Sequence, residues 1–160
     1  AEYTRKVKAC VNSFDEVHGA YDIVLHNYGP ERYLGSVHIE VDDTMTAHQI
    51  DALTRSITEK VYIDTGIILT AVGIYSNNSS DEHLMKMRND IAGLVVDHKH
   101  ILQIHGFYVD EEKKKIIFDV VVDFEEQDRE GLIAHIVGDV KEALPGYDVQ
   151  VTIDNDISDQ

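Results

Sequence analysis

The chain has 160 residues, 43% of them hydrophobic, which suits one medium domain or two small ones with packed cores. Acidic residues number 30 against 14 basic, and the formal net charge of -16 repels phosphate backbones, so nucleic acid is excluded as a partner. The single Cys10 excludes an internal disulfide and a multi-cysteine zinc site, and no apolar run reaches the roughly 18 to 20 residues needed to span a bilayer.

The elements, taken in order, come round twice. Val7, Val11 and Phe14 recur at helical spacing, predicting a first amphipathic helix that ends near Asp15. Strands follow from Val17 and across Ser36 to Asp42, joined by a hairpin around Asn27-Tyr28-Gly29-Pro30. Tyr21, Ile23, Leu25, Val37, Ile39 and Val41 alternate with Asp22, His26, His38, Glu40 and Asp42, the pattern of a sheet with one buried face. Thr44 or Thr46 can cap a helix to about Lys60, buried through Ile50, Leu53, Ile57 and Val61. Ile67 to Tyr75 reads as a central strand covered on both faces.

After the small polar stretch 76–80, the order repeats. Leu84, Met87, Ile91, Leu94 and Val95 mark a helix, and a hairpin around Asp110-Glu111-Glu112-Lys113 leads into a strand over 116–124. One face of that strand carries Ile116, Phe118, Val120, Val122 and Phe124; the other mixes Ile117 and Val121 with Asp119 and Asp123. A helix from about Gln127 to Leu144 and a strand from Tyr147 to Asp154 close the copy. The expected fold is α+β: two tandem ferredoxin-like αββαβ units, 1–75 and 81–160, with antiparallel or mixed sheets backed by helices. The second unit carries an acidic tail. In that tail Asp154, Asp156 and Asp159 alternate, but the glycine and final glutamate of a calcium loop are missing, so a solvated end is expected.

Gly19-Ala20-Tyr21-Asp22-Ile23, Gly29-Pro30-Glu31-Arg32-Tyr33, Val37-His38-Ile39-Glu40-Val41-Asp42 and Thr46-Ala47-His48 occur in this order. Together they resemble the cytoplasmic C-terminal domain of the cation diffusion facilitator, or cation efflux, transporters. The likeness covers about residues 5 to 75, and the second copy shares only its outline. It implies a metallochaperone-like unit that follows membrane helices of a parent protein, forms a homodimer and lies on the cytoplasmic side of the cell membrane. It also implies that His38 and His48 match two metal ligands. A third ligand position holds Tyr21, and the family's terminal His-x-Asp pair is replaced by Val72-Gly73-Ile74.

Zinc takes about four ligands from His, Cys and carboxylate. His38, His48, Glu40, Asp42 and His26 form such a set if strand and helix bring them together; otherwise they are solvated residues of a sheet edge. His98 and His100, at His-x-His spacing, would share one face of a strand and chelate zinc or nickel. His18, His83 and His135 show no evident partner in the sequence. No nucleophile elbow, phosphate loop or His-Glu-x-x-His motif points to an enzyme. The expected function is the regulatory and dimerisation domain of a divalent-cation efflux transporter, with Zn2+ or another divalent ion bound or none. The alternative is a free-standing small-molecule-sensing module built from duplicated αβ units.

Overall fold

The computed structural model describes residues 2–154, so the tail positions Asp156 and Asp159 lie outside the described residues. The chain divides between Asn77 and Asn78 into two compact units. The first contains α1 (Glu2–Asn12), β1 (Gly19–Gly29), β2 (Arg32–Asp42), α2 (Ala47–Thr65) and β3 (Ile68–Asn77). The second repeats the order with α3 (Glu82–Val96), β4 (Ile101–Asp110), β5 (Lys115–Val122), α4 (Arg129–Ala143) and β6 (Asp148–Asp154). The duplicated α+β architecture read from the sequence is therefore present. Among the described residues, no helix is long and apolar enough to cross a membrane.

Each unit is a three-stranded mixed sheet. β2 pairs antiparallel with β1 and parallel with β3, and β5 does the same with β4 and β6. A hairpin suffices for the antiparallel step, whereas the parallel return needs a crossover, supplied by α2 and α4. The crossover helices begin where their caps dictate. Thr46 accepts from the Gln49 amide while the Gln49 side chain accepts from the Thr46 amide, a reciprocal box that satisfies two otherwise orphaned donors. Asp81 and Asp128 cap α3 and α4 in a simpler way. α2 stops at Gly66, whose left-handed φ of 76° no β-carbon opposes and whose N–H donates to the Tyr62 carbonyl.

The cores follow the two periodicities. In the first unit Val37, Ile39 and Val41 of β2 face Val7, Cys10 and Val11 of α1 and Leu53, Ile57 and Val61 of α2. In the second, Ile116, Phe118, Val120 and Val122 of β5 meet Met87, Ile91 and Val95 of α3 and Ile136 and Val140 of α4. Burial pushes the Cys10 thiol above its ordinary pKa, and the neighbouring Asp64 carboxylate adds to the rise, so the sulfur remains a protonated core atom. A surface clip joins the β4–β5 turn to the start of β6: Tyr147 donates to Glu111 at 2.9 and 3.0 Å, and Lys114 reaches the same carboxylate at 2.9 Å. The bonds from Lys114 and then Tyr147 hold the Glu111 carboxyl below its usual range.

Two expectations need correction. The apolar run ending at Tyr75 is an edge strand, not a central one, because β2 takes the middle of the sheet; Leu69 alone within β3 is buried, and Ile68 and Ile74 are exposed. Phe124 does not join the core face of β5. The ladder ends at Val122, Asp123 donates its amide to the His100 carbonyl at 2.7 Å, and the chain turns away to cap α4, leaving Phe124 65% exposed.

Ile57→Ala should therefore cost about 2–5 kcal/mol in urea unfolding, the range for truncating a fully buried aliphatic side chain. Thr46→Ala should cost about 1 kcal/mol through the cap alone.

Candidate metal centre

Alternation in β2 sends Val37, Ile39 and Val41 to the helices and therefore sends His38, Glu40 and Asp42 to the opposite face. His38 sits on the rung between Tyr21 of β1 and Gly73 of β3. Its ring stacks on Tyr75 with centroids 4.7 Å apart and planes 20° from parallel, and its Nδ1 lies 3.4 Å from the Asp22 carboxylate. The Tyr75 hydroxyl donates to the same Asp22 carboxylate. Asp22 reaches inward because it occupies the β1 bulge with a φ of 54°.

Gly73 makes room for this arrangement. A β-carbon there would stand 2.3 Å from the His38 ring, so only glycine lets the imidazole lie across β3 and meet Tyr75.

The other first-unit candidates are placed apart from His38. Asp42 takes a hydrogen bond of 2.8 Å from His18 Nε2, a partnership between residues 24 apart that the sequence did not reveal. Glu40 is buried at 5% exposure, whereas His26 and His48 are exposed. None of His26, His38, Glu40, Asp42 and His48 falls in a described group of three ligand atoms within 4.8 Å of one another.

In the second unit His98 and His100 precede β4 and lie in a turn, so the strand alternation expected to align them does not operate. His100 takes a φ of 74° and groups with Asp123 and Glu125, while His98 groups with His135 and Asp139 of α4. His105, unremarked as a site from sequence, has its side chain fully buried on the sheet face opposite the helices. Its Nε2 is 2.8 Å from Asp154 and its Nδ1 is 3.7 Å from Asp119, the former a hydrogen bond and the latter beyond one. Asp119 pairs with His105 on the ladder, so register places them together although they are distant in sequence. The visible signals were the shared His-Gly-x-Tyr phrase at His18 and His105 and the i,i+4 spacing of His135 and Asp139.

Gly73→Ala should expel the His38 ring from Tyr75 with little change in overall stability, since the imidazole can swing outward. Loss of the tyrosine ring-current shift on the His38 imidazole protons in NMR would register the change; an unmoved ring would contradict the packing described.

Residues 1–67 match the family model described as "Cation efflux protein, cytoplasmic domain". Among solved structures, the metal-bound C-terminal domain of the CzcD transporter from Thermotoga maritima is 19% identical, with a TM-score of 0.44 over 50% of this chain and 93% of that one. A MamM CTD variant in its nickel form is 15% identical, with a TM-score of 0.44 over 48% and 98%. The MamB CTD from Desulfamplus magnetovallimortis BW-1 is 10% identical, also at 0.44, over 51% and 100%. No curated protein is similar enough in sequence to count as a relative. The match to the cation efflux cytoplasmic domain lies wholly within the first unit of this chain.

Proposed function

We propose that the chain is the cytoplasmic regulatory and dimerisation part of a membrane transporter that exports a divalent cation, zinc first among them. The match of residues 1–67 to the cation efflux cytoplasmic domain carries this reading. The geometry around His38 supports it: an imidazole held by Asp22, Tyr75 and Gly73 on the face away from the helices is oriented before any ligand arrives. His38 is the ligand at the centre of this proposal. His48, exposed at the start of α2, His26 and the partly exposed Asp42 are the groups from which a second copy of the chain completes the set, whereas Glu40 is buried. A site shared by two copies makes cation binding favour one arrangement of the dimer, and rigid coupling passes that preference to the membrane helices of the parent protein.

Equilibrium dialysis of the 160-residue chain against ZnCl2, followed by metal analysis, tests the reading. His38→Ala and His48→Ala should each reduce bound zinc, and zinc should shift sedimentation of the unsubstituted chain toward the dimer. Zinc at about a hundred times its Kd should also stabilise the fold by about 2.7 kcal/mol. Undiminished zinc in both variants would leave a dimerising scaffold that senses no metal through these residues.

A further inference from the structure

The two units use one frame, and a comparison of matched positions singles out a place where their chemistry differs. Val11 and Val95 are both fully buried near the ends of α1 and α3, and three residues later stand Phe14 and His98. The backbone there is the same in both: Phe14 donates to Val11 and its carbonyl accepts from Val17, just as His98 donates to Val95 and accepts from Ile101. On the crossover helices the fully buried Ile57 and Val61 match Ile136 and Val140, so Lys60 matches Asp139. In the first unit Lys60 lies over the Phe14 ring, 5.4 Å from its centroid, and reaches Ser13 at 2.8 Å. In the second, the aromatic and the cation are replaced by His98 and Asp139, and His135 joins them one helical turn before Asp139.

The atoms converge as ligands do. His98 Nε2 lies 2.9 Å and His135 Nε2 3.5 Å from the same Asp139 oxygen, and the two rings meet edge to face with centroids 5.0 Å apart. A tetrahedral ion with bonds near 2.0–2.1 Å sets its ligand atoms about 3.3 Å apart, which this spacing brackets. The other nitrogen of His98 is already committed. Its Nδ1 is 3.0 Å from the Leu94 carbonyl, which has no proton to give, so the Nδ1 carries a hydrogen and the Nε2 is the atom that faces the carboxylate. A proton on Nε2 or a metal ion has to lie between that nitrogen and the carboxylate, and an N–H held by a backbone carbonyl is the usual support behind a metal-bound imidazole. Glu142 lines the cleft beside Leu94 and Asp139, which adds negative charge at its rim.

We infer that His98, His135 and Asp139 form a binding site for a borderline divalent transition metal such as zinc or nickel, with water completing the coordination. Two imidazoles and one carboxylate select against magnesium and calcium, whose preferred ligands are oxygens. The site lies wholly within the second unit, between the end of α3 and α4, and does not depend on the function assigned to His38. A bound ion there ties the helices that cover the second sheet, where the first unit uses a lysine.

The test is zinc binding by the full chain in equilibrium dialysis, with MgCl2 as the control ion. His135→Ala and Asp139→Asn should each lose one zinc per chain, and His38→Ala should keep that zinc. His135 is 67% exposed, so its truncation leaves the core intact and circular dichroism should be unchanged. Wild-type zinc stoichiometry in both His135→Ala and Asp139→Asn would overturn the inference, leaving a protonated His98 paired with Asp139. So would the absence of any zinc that survives His38→Ala.

Discussion

The two-residue period of the central strands governs most of what this chain can do. β2 and β5 each have a neighbour on both sides and helices on one face, so every second residue must be apolar to fill the core. The residues in between are sorted as a consequence. His38, Glu40 and Asp42 go to one face together, and so do Ile117, Asp119 and Val121, because a slip of one residue would bury the first set and expose the core. Core packing thus fixes the height and direction of the polar groups before their own interactions count. The His38 imidazole inherits its position from Val37 and Ile39, and Asp22, Tyr75 and Gly73 then fix its plane.

The same frame has been filled with different chemistry in its two copies. The rung Tyr21–His38–Gly73 in the first sheet corresponds to His105–Asp119–Thr152 in the second, and two residues further along the third strand Tyr75 corresponds to Asp154. The imidazole has moved from the central strand to the first strand, and aromatic partners have given way to carboxylates. His38 is stacked on Tyr75 with its Nδ1 3.4 Å from Asp22, whereas His105 has Nε2 bonded to Asp154. Equivalent positions therefore carry unlike side-chain sets in the two units.

How much of this the sequence discloses depends on the range of the interaction. Helices and strands were legible wherever periodicity was strong: the buried positions Leu53, Ile57 and Val61 of α2, and Met87, Ile91 and Val95 of α3, were all readable as stripes. The capping role of Thr46 was legible because its partner is three residues away. Strand order was not. Ile67 to Tyr75 looked central because apolar runs do not reveal on which side a crossover returns, and β3 lies at the edge. Site partnerships were least legible. His18 with Asp42, His105 with Asp154 and His98 with Asp139 join residues separated by 24, 49 and 41 positions, and sheet register or helix docking creates each pair. The turn before β4 also hid a reversal, since the left-handed φ of His100 separates it from His98 despite their His-x-His spacing.

Charge and imidazole would divide the task of attracting a metal at the proposed sites. A formal charge of -16 raises the concentration of every cation near the surface, so carboxylates alone would favour abundant magnesium as readily as scarce zinc. Screening confines that attraction to about 8–10 Å at physiological ionic strength, which makes it a local supply of ions and not a means of choosing among them. Selection has to come from nitrogen ligands, because imidazole favours zinc and nickel while oxygen ligands suit magnesium and calcium. The arrangement of the histidines therefore carries the chemical information. His38 is oriented by Tyr75 and Asp22, and His98 by the Leu94 carbonyl, whereas His26 and His48 stand exposed on the surface. An imidazole whose ring is already fixed loses less conformational entropy on binding than one that must be ordered by the ion. At the proposed sites, held rings beside carboxylates would consequently bind at lower ion concentrations than exposed ones, which must first be restrained.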